Sequence, residues 1–277
     1  MRRRAALLTL SGFAAGQSRA GTAAAGWANP WKAHDPASRR TVDHADWAGL
    51  LARFCRPSRD GINRFAYTEM DEGQQAILDR YLAMLGGTPV SELARPTQLA
   101  FWVNLHNALA VRLVLDHYPV ASIRDIGVTT KGPPADGAWA AKRIRVESRP
   151  LSVGEIASDV LRELWSDPRV NYVLCCATLG APNLAVAPLE SAMLDRQLDA
   201  AAIDFVNHPR GVSLVNGRLR VSSLYVWHQK EFGYSEHAII KHLMAYAAPS
   251  LALQLRGRSR IDENDYDWQL NDAPADN

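Results

Sequence analysis

The feature that most constrains this chain is the stretch from Thr97 to His117, which follows Pro96 and stops at Tyr118-Pro119. Proline is tolerated in the first turn of a helix and ends one at the other side. Leu99, Phe101, Trp102, Leu105, Leu109, Leu113 and Val114 leave the middle of this stretch apolar nearly all round. A surface helix shows one apolar stripe, whereas a helix apolar on every side is covered on several faces. With 277 residues, 47% of them hydrophobic, the chain has enough apolar material for such a core.

Around this helix the pattern predicts a helix-rich α+β domain. Trp47, Leu50, Leu51 and Phe54 recur at helical spacing, and a second helix is expected from about Asp71 to Leu85, stopped by Gly86-Gly87. Ile62 to Tyr67 and Lys142 to Glu147 alternate like short strands. Ser152 and Glu155 have the spacing of a capping box, opening a helix that runs to about Trp165. Val170 to Cys176 is a continuous apolar run of strand length, expected as a central buried strand. An amphipathic helix is expected over 188–207, and further helices at about 223–231 and 235–247. Residues 212–221 alternate on both sides of Asn216-Gly217, the strongest short-range signature of a hairpin.

The first 25 residues read as an export signal. Arg2-Arg3-Arg4 precedes an apolar run from Ala5 to Ala15, and Ser18-Arg19-Ala20 and Ala23-Ala24-Ala25 offer small-residue cleavage sites. Consecutive arginines before a modestly apolar run fit the twin-arginine type. The expected organisation is signal 1–25, linker 26–42, one domain over 43–271 and a polar tail 272–277. The expected location is periplasmic or secreted, with no integral membrane segment once the signal is removed. Arg2, Arg3, Arg4 and Arg19 are four of the 31 basic residues, so the remainder carries 27 basic against 29 acidic side chains. That balance excludes a nucleic-acid surface of the usual kind. Three cysteines, Cys55, Cys175 and Cys176, make neither a disulfide framework nor a zinc spacing. A Cys55 bridge to either of the others stays open, and no metal or other cofactor is expected.

Three places could carry chemistry. Asn104 and Asn107 share a face of the long helix. Asparagine is a poor helix residue, so a pair of them amid Leu, Phe and Trp implies buried amides with polar partners, either a structural network or the wall of a polar cleft. His106 is read as pointing away from that pair. Cys176 lies where the buried strand would enter the turn Gly180-Ala181-Pro182-Asn183, a place where open sheets put their sites. It is either a nucleophile or, as free cysteines commonly are, a small buried hydrophobe. His228 and Glu231, three apart, form a third candidate pair.

Taken in order, Phe101 to Asn107, Pro150 to Arg162, Arg169 to Leu184, Trp227 to Gly233 and Tyr266 to Asn271 resemble the domain of unknown function 547 family. Trp102, Asn104, Asn107, Cys176 and Pro182 match its pattern. The chain departs from it at Ala157-Ser158, which stand for Glu-His, at Asn171, which stands for His, at Cys175, which stands for Asn, and at Ala181, which stands for a second Cys. The resemblance thus implies the fold with a depleted catalytic site. The expected role is a periplasmic binding or accessory domain for a small molecule or an envelope protein, its polar cleft carried by Trp102, Asn104, Asn107, Asn171 and Asn183. The alternatives are a cysteine-dependent hydrolase or transferase using Cys176, with His106 or His228 as base, and a structural partner in an envelope complex.

Overall fold

The computed structural model describes residues 29–273; the export signal expected at 1–25 and most of the expected polar tail lie outside the described residues. In chain order come α1 (Ala45–Phe54), β1 (Cys55–Pro57), β2 (Asn63–Phe65), α2 (Glu72–Gly86), α3 (Arg95–Leu115), β3 (Ile144–Val146), β4 (Arg149–Leu151) and α4 (Val153–Glu155). Then follow α5 (Leu194–Asn207), β5 (Val212–Val215), β6 (Arg218–Ser222), α6 (Ser223–Trp227), α7 (Glu236–Tyr246), α8 (Pro249–Leu255) and β7 (Glu263–Asp265). The architecture is the expected helix-rich α+β class, with small sheets of two and three strands.

Helix α3 is the axis of the fold. Every residue from Gln98 to Val111 is buried, as a sequence apolar on all sides requires. Helix α2 packs on α3 and α1 packs on α2, where Trp47 stacks on Tyr81 with ring centroids 6.2 Å apart. The segment read as a linker is docked over part of its length. Trp31 is buried edge-on against Trp102 at 5.0 Å, and Gln98 Nε2 donates to the Ala33 carbonyl. A second apolar cluster joins Tyr172, Phe205, Leu219, Tyr225, Ile240 and Leu255, and so ties α5 to the hairpin and to α6, α7 and α8.

The hairpin forms at the expected place. Val212 pairs with Val221 and Val215 with Arg218, and both Asn216 and Gly217 have positive φ, the conformation such a two-residue turn demands. Strand β7 then adds to β6 in parallel register, with Val221 opposite Asn264. The capping box also forms: Ser152 N donates to Glu155 Oε2 at 2.8 Å and Glu155 N to Ser152 Oγ at 3.2 Å. Helix α4 does not continue as a regular α-helix, however. It widens into a π-helical segment, Ile156–Arg162, which packs along α3. Such bulges are often found at functional sites.

The expected strand at 170–176 is corrected. Pro168–Tyr172 is a 3-10 turn, and the chain from Val173 to Cys176 is irregular. The apolar run does predict burial, since Val170 to Cys175 are all buried, but it does not fix the backbone. Pro168 presets a helical first turn, and Asp167 caps it by accepting from Arg169 N. Beyond the turn a side chain does the work of a neighbouring strand. Asn107 Nδ2 donates to the Val173 carbonyl at 2.9 Å, and Cys175 N donates to Asn107 Oδ1 at 3.0 Å.

The C-terminal segment crosses this turn as a strap. Leu179 N donates to the Gln269 carbonyl, Gly180 N to that of Asp267, and Asn271 N to that of Ala177. A Cβ on Gly180 would lie 2.6 Å from Asp267 N, so only glycine lets the strap come this close.

Candidate functional site

The Asn107 clamp fixes where Cys176 falls. It sets Cys176 at the wall of a pocket of about 260 Å³, together with His106 from α3, Ser152 and Glu155 from α4, Arg162 from the π-helical segment, and Trp139 and Pro134 from the loop before β3. Glu155 is ion-paired with Lys142.

His106 does not point away from the Asn pair. It is buried, and its Nδ1 lies 3.1 Å from Asn107 Oδ1. That oxygen already accepts from Cys175 N, and the amide nitrogen already donates to Val173, so Oδ1 accepts from the ring as well and Nδ1 carries the proton. The Nε2 lone pair is left without a partner among the described residues. Burial, with the Arg162 charge adding to it, lowers the ring to about 4, so His106 is neutral at pH 7. His228 is held well below the ordinary histidine range for the same reasons, burial first and Arg162 second. Its Nδ1 stands 4.0 Å from Glu231 Oε2.

Arg162 is common to these groups. It is deeply set, part of its surface opens on the pocket, and burial lowers its affinity for a proton. Its Nε donates to Asn171 Oδ1 at 2.9 Å, and Asn171 Nδ2 in turn donates to the Pro168 carbonyl. Its terminal amino groups have no hydrogen bond, and no carboxylate lies within ion-pair distance, among the described residues. Glu231 acts on it only at longer range.

Cys176 is half-buried and makes no hydrogen bond among the described residues. Burial pushes its thiol up to about 12, Cys175 adds to the rise, and Arg162 only partly offsets it. Cys55 is likewise pushed up to about 12 and Cys175 to about 11, burial leading in both. No group of three or more His, Cys, Asp or Glu side chains that could hold a metal occurs among the described residues.

Of the expected cleft residues, the structure sets two against this pocket at one remove: Asn107 through His106 and the Cys175 backbone, and Asn171 through Arg162. The others lie elsewhere. Asn104 exchanges hydrogen bonds with the backbone of Leu189, at 2.9 Å in both directions. Trp102 is enclosed between Trp31 and Phe101, its Nε1 buried without a partner among the described residues. Asn183 accepts from Asn63 N and Arg210 and donates to Gly61 and Asp204, which fastens the far side of the turn. The residue missed from sequence is Arg162. A basic residue near the end of an amphipathic helix reads as solvated, and its one hint is its place directly after the buried pair Val160 and Leu161.

Residues 90–206 match the model of a family described as protein of unknown function, DUF547. This stretch is similar to the DUF547 family. It contains α3, the capping box, the π-helical segment, Arg162 and the Cys176 turn. The hairpin, α6, His228 and the strap lie beyond the matched residues. Comparison with curated proteins and with solved structures gives no match. No helix among the described residues is long and apolar enough to cross a membrane.

Proposed function

We propose that this is an exported protein whose DUF547-like region binds a small molecule in the pocket beside Cys176 and does not use the thiol for catalysis. The carrying observation is the state of Cys176: it lines an open pocket, yet its thiol is held protonated and no base is hydrogen-bonded to it. A nucleophilic cysteine needs the opposite, a lowered pKa or a base in contact. Ser158 and Asn171, which stand where the family pattern has histidines, do not titrate near neutral pH. Ser158 Oγ is occupied with the Gly154 carbonyl and with Asp159. Export is supported by Arg2-Arg3-Arg4, the short apolar run and the alanine-rich sites before Gly26.

A screen of small molecules for thermal stabilisation and turnover, run on the protein and on Cys176→Ala, tests the binding role. Stabilising compounds that act equally on Cys176→Ala are expected. Turnover that vanishes in Cys176→Ala would put the cysteine hydrolase or transferase first. One observation favours that second reading: His106 and Cys176 share the pocket wall. Fractionation with N-terminal sequencing tests export; a mature form starting near Gly21 or Gly26 is expected, and an uncleaved cytoplasmic protein refutes it.

A further inference from the structure

We infer that the pocket is built to take a monocarboxylate, with Arg162 as the residue that recognises it. The inference rests on the binding reading above and names the ligand's chemistry. A guanidinium removed from water with no counter-charge is unfavourable in a free protein, and such groups are ordinarily paired. Arg162 is half-way to that case: it is half-buried, Asn171 fixes its Nε, its terminal amino groups have no partner among the described residues, and it lines a pocket of about 260 Å³. Locking Nε leaves the end-on pair of amino groups, whose spacing matches the two oxygens of a carboxylate in a bidentate fork.

The charge count favours one negative charge over two. His106 and His228 are neutral at pH 7, so they add no second cation. No lysine lines the pocket, and Lys142 is committed to Glu155, which does. Glu155 and Lys142 offset each other, so a phosphate dianion would meet the single positive charge of Arg162 and keep one negative charge unmatched. Apart from Ser152 and Ser158, the remaining wall is apolar, with Trp139, Pro134 and Ala157, and suits a ring or short hydrocarbon body behind the carboxylate.

Benzoate, benzamide and inorganic phosphate separate these features, since benzamide keeps the shape of benzoate without its charge. Calorimetric titration of the full chain at neutral pH and low salt is expected to show saturable binding of benzoate. Benzamide should bind at least about tenfold more weakly, phosphate should not compete, and Arg162→Gln should lose about tenfold or more in affinity for benzoate. A second readout needs no variant. Cys176 lines the same pocket, so benzoate, but not benzamide at equal concentration, should slow alkylation of Cys176 in the wild-type protein at alkaline pH. Equal binding of benzamide and benzoate, or benzoate affinity unchanged in a folded Arg162→Gln, would overturn the carboxylate assignment while leaving a binding pocket in place. Tighter binding of phosphate than of benzoate would overturn it in favour of a dianion. Absence of binding and of protection by both benzoate and benzamide would overturn the assignment and count against the binding reading as well.

Discussion

Replacing Asn107 by alanine removes the amide that holds the Cys176 turn. Two backbone groups then lose their partners, the Val173 carbonyl and the Cys175 N–H, at 2.9 and 3.0 Å from the amide in the intact protein. Asn107 is 4% exposed, so little water reaches them. A buried polar group left unpaired costs roughly 1–3 kcal/mol. Two such groups, with a small cavity and the loss of the His106 contact, place the total at about 3–5 kcal/mol. That is a large share of the roughly 5–15 kcal/mol by which a folded protein is stable. With a urea dependence of about 3 kcal/mol per molar, the unfolding midpoint should fall by about 1–1.7 M, followed by circular dichroism. Asn107→Asp separates the two bonds. Its carboxylate still accepts from Cys175 N but turns a second oxygen toward the Val173 carbonyl, so it should also be destabilised at neutral pH. An alanine variant within about 1 kcal/mol of wild type, or an aspartate variant as stable as wild type, would refute the clamp.

Two further outcomes follow from the protonation states. With Cys176 pushed up to about 12, its thiolate at pH 7 is about a thousandfold scarcer than in an ordinary thiol, and alkylation mapped by mass spectrometry should be correspondingly slow. Rapid stoichiometric labelling that disappears in His106→Ala or His228→Ala would overturn this. The folded His106 ring binds a proton only near 4, whereas the unfolded ring does so near 6.5, so the stability it confers is complete above about 6.5 and is lost as the pH falls toward 4. The loss attributable to this ring is on the order of 3 kcal/mol, and chemical denaturation across this pH range should show a shallower decline in His106→Gln, with an unchanged slope refuting the assignment.

How far the fold was legible depended on whether a residue pattern constrains the backbone or only burial. Asn216-Gly217 constrains backbone dihedrals, and the hairpin lies where it was expected. The apolar run at 170–176 constrains burial alone, and a Pro168 start with an Asp167 cap turned it into a 3-10 turn. Strand β7 was invisible because Glu263, Asn264 and Asp265 are all exposed and polar, and only the edge of β6 makes them a strand. At the site, the two asparagines of α3 announced themselves as misfits in an apolar helix. Arg162 did not, because a π-helical widening that turns a basic residue inward has no signature in residue spacing.

The strap also sets a timetable for folding. Tyr67 Oη donates to Asn271 Oδ1 across a separation of 204 residues, and the backbone of Phe65 bonds to both Asn271 and Ala273. None of these contacts can form until nearly all of the chain has been synthesised. At translation speeds of roughly 5–20 residues per second, the edge of β2 waits on the order of ten to forty seconds for its partner. Over that interval the nascent chain carries an unpaired strand edge beside the apolar residues of α1 and α3, the kind of surface that chaperones hold and that neighbouring chains capture. Contacts this distant in sequence also make for slow closure once synthesis ends. Yield of native protein should therefore be governed by the fate of the strapless intermediate, even though the finished molecule has this part of its core closed from both ends.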